Sequence, residues 1–170
     1  MVLLGLLRLW PKLRAGDLGL TARPNVQLGI AVGAALWVLS IVIANAQAQV
    51  IGAHPQALIV AASANQSVEG LVLYLVLGAA LVGFVEELFF RAVLFTLFRQ
   101  RMRFVYAAAT SSIIFMLVHE ISAWLPVFAL GMALAFLYEK RQSLWTNALA
   151  HGTLNAISFV LLFALPNLGS

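Results

Sequence analysis

The chain has 170 residues, of which 63% are hydrophobic and only 9% are charged, and its mean hydropathy is +1.00. This composition excludes an ordinary water-soluble domain and is typical of an integral membrane protein. The net charge of +4 comes from short basic clusters, which form no basic face of the size that nucleic acid binding requires. Because there is no cysteine, disulfides, thiol catalysis and thiolate metal ligands are also excluded.

Apolar runs predict an all-α, polytopic membrane helix bundle of about five transmembrane helices. Residues 1–25 come first, and we expect this segment to lie at the cytoplasmic membrane surface because basic residues follow its short apolar stretch. The long runs are 26–48, 71–98, 104–118, 121–138 and 144–165. A weaker run at 57–62 is too short to span a bilayer, since a crossing helix needs about 20 residues. The bundle is therefore expected to occupy residues 26–170.

The basic residues predict the orientation of the bundle. They lie before the first run, between the second and third, and between the fourth and fifth, as Arg8, Lys12, Arg14, Arg23, Arg99, Arg101, Arg103, Lys140 and Arg141. The other connections contain none. Since basic loops stay in the cytoplasm, we expect a cytoplasmic N-terminus, and the small size with this clean bias suggests a prokaryotic plasma membrane.

Three polar clusters interrupt the apolar runs. They are the motifs Glu86-Glu87-x-x-x-Arg91, Phe115-x-x-x-His119 and His151-x-x-x-Asn155. A charged side chain at the centre of a membrane helix costs at least about 2.5–3.5 kcal/mol, so such residues are rare there and usually functional. Carboxylates, histidines, an arginine and an amide together are the components of an acid/base site.

The depths of these groups in the membrane indicate a single site. Counted at 1.5 Å per residue from the nearest basic cluster, Glu86 and His119 lie roughly 20 and 24 Å from the cytoplasmic edge. On the same count, His151 and Asn155 lie roughly 15 and 21 Å from it. The hydrocarbon core is about 30 Å thick, so all four fall in one middle-to-outer layer.

Helical periodicity assigns the polar residues to faces. Glu86 and Glu87 project about 100° apart, so we expect them to face different places. Glu87 precedes Arg91 by four residues, which is the spacing of a helix ion pair. Glu86 shares its face with Ala79 and Gly83, whose small side chains allow another helix to approach closely. On the last helix a polar stripe consists of Asn147, His151, Asn155 and Ser158.

The three motifs, in this order on successive membrane helices, resemble the CAAX-processing and bacteriocin-processing (CPBP, or Abi) family of intramembrane glutamic proteases. The resemblance covers about residues 71–163, which would form the catalytic core. It implies an intramembrane endopeptidase that cleaves a peptide or a membrane-associated protein substrate near the lipid–water boundary.

By this resemblance, Glu86 would be the general base that activates a water, with help from His119. His151 and Asn155 would stabilise the carbonyl oxygen as it becomes an oxyanion. No cofactor and no metal is expected. The supporting residues would be Glu87 and Arg91, as a pair, and Phe115, which we expect to orient His119 by packing.

Two other hypotheses remain open. Glu86, His119 and His151 are a set that could bind zinc and leave a position free for water, although the helical His-Glu-x-x-His zinc motif is absent. Alternatively the protein is not an enzyme and acts by binding, as a bacteriocin-immunity type membrane protein, or is a proton-coupled carrier. A carrier is disfavoured because the chain has no inverted repeat.

Overall fold

The computed structural model describes residues 16–52, 60–61 and 67–164, and these residues form helices and no strand. Five helices follow one another: α1 (Val26–Ile51), α2 (Val68–Arg99), α3 (Phe104–Leu117), α4 (Trp124–Arg141) and α5 (Leu144–Ala164). A short 3₁₀ turn, Ile121–Ala123, leads into α4. Residues 1–15 and most of the weak run at 57–62 lie outside the described residues.

The length of the helices confirms the predicted helical membrane bundle. Helices α1, α2 and α5, and α4 together with its leading turn, are long and apolar enough to cross a bilayer. Helix α3 has 14 residues. At 1.5 Å per residue it is roughly 21 Å long, which is less than the hydrocarbon thickness of about 30 Å. Within the described residues, the bundle therefore has four helices of spanning length and one shorter apolar helix.

Helix α5 is the central element of the bundle. Helix α1 packs along one side of α5, and the first half of α2 packs along another. The second half of α2 contacts α3 and α4, and α4 also contacts α1. The end of the bundle where α2 and α4 finish, at Arg99 and Arg141, is called the basic end below. The other, called the far end, contains the start of α2 and the end of α3.

Glycines set the spacing between α5 and its neighbours. A Cβ atom built on Gly83 of α2 would lie 3.3 Å from the backbone nitrogen of Gly152. One built on Gly152 would lie 3.1 Å from the carbonyl oxygen of Ala79. The two backbones thus approach more closely than larger side chains allow, as the small residues beside Glu86 predict. Since Glu86 and His151 flank this crossing in sequence, the crossing brings them together.

Helix α2 contains two π-helical segments, Tyr74–Leu81 and Leu88–Phe95, which the sequence pattern did not predict. The short α-helical stretch between them, Val82–Glu87, carries both glutamates. Hydrogen bonds from residue i to i+5 change the number of residues per turn, and such segments occur frequently at functional sites. The helix faces that a period of 3.6 residues assigns are therefore not valid along the whole of α2.

The described part of the N-terminal segment, residues 16–25, is bound to the basic end of the bundle. The backbone N–H of Leu144 donates to the carbonyl of Gly19 (3.1 Å), and the indole of Trp145 donates to the carbonyl of Leu20 (2.9 Å). The segment therefore covers the connection between α4 and α5. The domain boundary at residue 25 stays a prediction.

Candidate active site

The imidazole of His151 lies between the two glutamates of α2. Its Nδ1 is 3.0 Å from Oε1 of Glu87, and its Nε2 is 3.6 Å from Oε2 of Glu86. Their spacing predicts that the two carboxylates face different places, yet both reach this one ring, because α5 packs closely on α2 and the ring presents a nitrogen to each of them. His151 thus connects the two acids of the motif.

Hydrogen bonding determines which nitrogen of His151 is free. Next to an ionised Glu87, which can only accept, the Nδ1–H of His151 must be the donor. In the neutral ring Nε2 then carries a lone pair directed at Glu86, and in the imidazolium it carries a second proton. The edge of His151 that faces Glu86 is therefore the one able to exchange a proton.

His119 presents the same nitrogen to Glu86 from another side. It follows the end of α3, and its Nδ1–H donates to the carbonyl of Phe115 (2.8 Å), since a carbonyl oxygen can only accept. Its Nε2 lies 3.9 Å from Oε1 of Glu86. The indole of Trp124 donates to the carbonyl of His119 (3.0 Å) and fixes the backbone there.

The separations around Glu86 suit a bridging water. Neither histidine is within direct hydrogen-bonding distance of Glu86, since both separations exceed about 3.2 Å. A water about 2.8 Å from both an Oε and an Nε2 atom fits beside each pair. Glu86 is thus the centre of a cluster that can hold and polarise water.

Glu87 is the buried support of this cluster. Its side chain is fully buried, and the Nδ2 amide of Asn147 donates to its Oε2 (3.0 Å). The same amide donates to the carbonyl of Leu134 (2.8 Å), which ties α4 to the site. Asn147 was identified in the polar stripe of α5 but was not assigned to the site, because its position one turn from His151 did not show that it would reach Glu87.

Arg91 and Phe115 complete the buried side of the cluster. The Nε of Arg91 is 3.4 Å from Oε2 of Glu87, so the two residues form the expected ion pair. The guanidinium carbon lies 4.7 Å from the centre of the Phe115 ring, a cation–π distance. The Phe115 ring also meets those of His119 and His151 edge to face, at 4.6 and 6.0 Å between centroids. Phe115 therefore packs against both histidines.

Asn155 is placed differently from the other motif residues. Its Nδ2 donates to the carbonyl of Gly78 (3.2 Å), two turns before Glu86 on α2. The amide has two hydrogens, so one bond to Gly78 leaves the second for another acceptor. Its role at an oxyanion stays a prediction.

The side chains of the cluster differ in solvent exposure, and the partly exposed ones form what is called its open edge below. The side chains of Glu86 and His119 are 23% and 27% exposed, whereas that of His151 is 4% exposed. Glu87 and Arg91 are completely buried. The accessible edge is thus the one where Glu86 faces the two Nε2 atoms, which is where a substrate and water can enter.

The three side chains of the zinc hypothesis face one another, but they are not arranged as a metal site. Among residues 16–52, 60–61 and 67–164, no group of three or more His, Cys, Asp or Glu side chains is placed to hold a metal ion. Zinc requires nitrogen and oxygen ligands at about 2.0–2.2 Å from the metal.

Comparison with known proteins identifies the family. Residues 68–157 match the family described as Type II CAAX prenyl endopeptidase Rce1-like, which is a branch of the CPBP family. The chain belongs to this family. The matched region contains all three motifs, from Glu86 to Asn155, and excludes α1. The resemblance of the motifs is thereby confirmed, and the apolar helices together with this membership make the protein an integral membrane protein.

One curated relative supports the same assignment. The chain is 31% identical over 93 residues to the Bacillus subtilis (strain 168) protein named "Putative membrane peptidase YdiL". This alignment covers 54% of the chain and 37% of that protein, so the chain spans little more than a third of its relative's length. No solved structure matches the chain.

Proposed function

We propose that this Rce1-like protein is an intramembrane endopeptidase in which Glu86 is the general base. The observation that carries the proposal is the position of Glu86 between two imidazoles. Each histidine has its Nδ1–H bonded to another acceptor and directs Nε2 toward Glu86. A water in this cluster would have a proton acceptor in Glu86 and a second polar contact in His119.

The reaction follows from this arrangement. Glu86 takes a proton from the water as its oxygen attacks the carbonyl carbon of the scissile peptide bond, which gives a tetrahedral intermediate with an oxyanion. Glu86 then gives the proton to the leaving nitrogen as the C–N bond breaks. The products are a carboxylate and an amine. Base catalysis of this kind contributes about 10²–10⁴ to a rate.

His151 can assist as an oxyanion donor only in one protonation state. Its Nδ1–H is bonded to Glu87, so Nε2 must also carry a proton if it is to donate. Asn155 would donate with the amide hydrogen that its bond to Gly78 does not use. Fixed donors aimed at developing negative charge stabilise the transition state strongly.

The expected substrate is a peptide or a membrane-associated protein, cleaved where the open edge of the cluster meets the membrane. We further propose a prokaryotic plasma membrane with the basic end toward the cytoplasm. The support for the orientation is that Arg99, Arg141 and the described N-terminal segment gather at one end of the bundle.

The test is cleavage of a degenerate quenched peptide library by the purified wild type, Glu86→Gln and Glu69→Gln. Glu69 is a matched control because it is an exposed glutamate on the same helix. Each protein is assayed with and without a chelator. We expect Glu86→Gln to lose activity by at least about a hundredfold and Glu69→Gln to keep it.

The other outcomes separate the alternatives. Loss of wild-type activity with the chelator, restored by zinc, would replace the general base by a zinc-bound water. A fully active Glu86→Gln would refute the glutamic mechanism. No cleavage by any variant, including the wild type, would favour the immunity-type binding protein.

A further inference from the structure

Helix α1 lies outside the region that matches the family, yet it contributes a buried polar side chain to the far end of the bundle. Gln47 is 5% exposed and lies four residues before the end of α1. Its Nε2 donates to the carbonyl of Ile121 (3.0 Å), and its Oε1 accepts from the backbone N–H of Leu125 (2.8 Å). One side chain thus binds both ends of the turn that leads into α4.

The two backbone groups differ in what else binds them, because the carbonyl of Ile121 also accepts the backbone N–H of Trp124. Leu125 is at the start of α4, where the first N–H groups have no partner within the helix. Ile121 begins the 3₁₀ turn between α3 and α4. A buried amide that supplies both a donor and an acceptor is suited to fixing such a turn, because the N–H of Leu125 left unpaired would cost about 1–3 kcal/mol and the carbonyl of Ile121 gains a second donor.

This turn is directly attached to His119. His119 lies two residues beyond the end of α3, and its backbone N–H still donates to the carbonyl of Met116 in the last turn of that helix (3.0 Å). Two further contacts hold it: its own Nδ1–H donates to the carbonyl of Phe115, and the indole of Trp124 donates to its carbonyl. Trp124 lies between the two backbone groups that Gln47 binds, so displacement of the turn would displace the indole and with it His119.

We propose that Gln47 is a positioning residue that holds the Nε2 of His119 toward Glu86 by clamping the turn between α3 and α4. Its effect on catalysis rests on the proposed function, whereas its effect on the position of His119 does not. The family-matched region thus depends on a helix outside it for the position of one of its two histidines. Misplacement of a catalytic group by about 1 Å can cost about a hundredfold in rate.

The experiment compares Gln47→Met with Gln49→Met. Gln49 is an exposed glutamine on the same helix, so the two variants make the same chemical change at a buried and at an exposed site. The protein has three histidines, and their ring signals are observed by NMR in detergent micelles with ¹⁵N-labelled histidine and assigned with His→Gln variants. We expect Gln47→Met to shift or broaden the signals of His119 while those of His151 stay in place, and Gln49→Met to change neither.

Activity gives the second readout. We expect Gln47→Met to lower kcat about tenfold to a hundredfold with little change in KM, and to have no further effect in a His119→Ala background, where there is no ring left to position. Gln47→Glu keeps the acceptor for Leu125 and loses the donor to Ile121, so it should give an intermediate change if Gln47→Met does not fold.

The two proposals fail in different ways. Unchanged His119 signals in folded Gln47→Met would overturn the positioning role whatever the activity. If Gln47→Met shifts the His119 signals but the wild-type protein cleaves no peptide, the positioning role would be supported and the endopeptidase proposal contradicted. Equal losses of kcat with and without His119 would show that Gln47 acts on the bundle in general, which also overturns the inference.

Discussion

The buried pair of Glu87 and Arg91 allows a prediction in which two harmful substitutions compensate each other. Both side chains are completely buried, and the charge of Arg91 is balanced by Glu87 at 3.4 Å and by the ring of Phe115. Among the described residues the guanidinium has no hydrogen bond to any other group. Replacing Arg91 by Met keeps an unbranched side chain but removes the guanidinium and its charge, so Glu87 is left as a buried carboxylate without the Arg91 cation.

The expected loss in the free energy of unfolding follows from the burial of both charges. Removal of one partner of a buried ion pair costs about 3–5 kcal/mol, since the other charge stays buried and uncompensated. Glu87→Gln should cost a similar amount because it strands Arg91. The double variant removes both charges at once, and replacing a whole buried pair by neutral groups is often neutral or stabilising. We therefore expect the double variant to lie within about 2 kcal/mol of the wild type, with a favourable coupling of at least about 2 kcal/mol.

The assay is equilibrium unfolding in mixed micelles with a denaturing detergent, followed by the fluorescence of the four tryptophans. Arg101→Met is the control, since Arg101 is exposed at the basic end and its loss should change the free energy of unfolding by less than about 0.5 kcal/mol. Peptidase activity of the double variant should stay low despite its stability, because His151 has lost the carboxylate bound to its Nδ1. Additive losses in the two single variants would refute the reasoning, since they would show that the two charges do not balance each other.

Two further substitutions test the crossings around the site. Asn147→Leu should lower the free energy of unfolding by about 2–4 kcal/mol, because Glu87 and the carbonyl of Leu134 both lose their amide donor. Asn45→Leu, the same change at an exposed asparagine, should have almost no effect in the unfolding assay. Equal stabilities of the two variants would contradict the role of Asn147. Gly33→Val should lower the free energy of unfolding by about 1–3 kcal/mol or more, because any Cβ there collides with the backbone of α5. A melting temperature equal to that of the wild type would show that the two helices are free to separate.

The fold class and the membership of the family could be predicted from the sequence for a simple physical reason. Ionisable residues inside apolar runs are costly, so Glu86 and His119 stand out against a background that would otherwise exclude them. The small residues Ala79 and Gly83 beside Glu86 indicated a close helix crossing, and the structure places Gly152 of α5 there. These features depend on residue type and on local spacing alone.

Other features of the site depend on how helices meet, which local spacing does not determine. The spacing of Glu86 and Glu87 separates them by about 100°, but it does not show that one imidazole lies between them. The π-helical segments on either side of these residues alter the faces of α2, and no pattern in the sequence marked them. The contact of Asn155 with the carbonyl of Gly78 likewise follows from the crossing angle of α2 and α5 and not from the motif that contains it.

His119 and His151 are held in place by different parts of the molecule. His151 is fixed in the middle of α5 by a buried carboxylate and by a glycine-lined crossing, all within the region that matches the family. His119 lies at a helix end and is held by a backbone carbonyl, an indole and, through the turn, by Gln47 of α1. Substitution of Gln47 should therefore alter His119 and leave His151 unchanged. Because Glu86 faces both rings, we expect such a substitution to impair the proposed activation of water without removing the proposed oxyanion donors, and so to lower kcat with little change in KM.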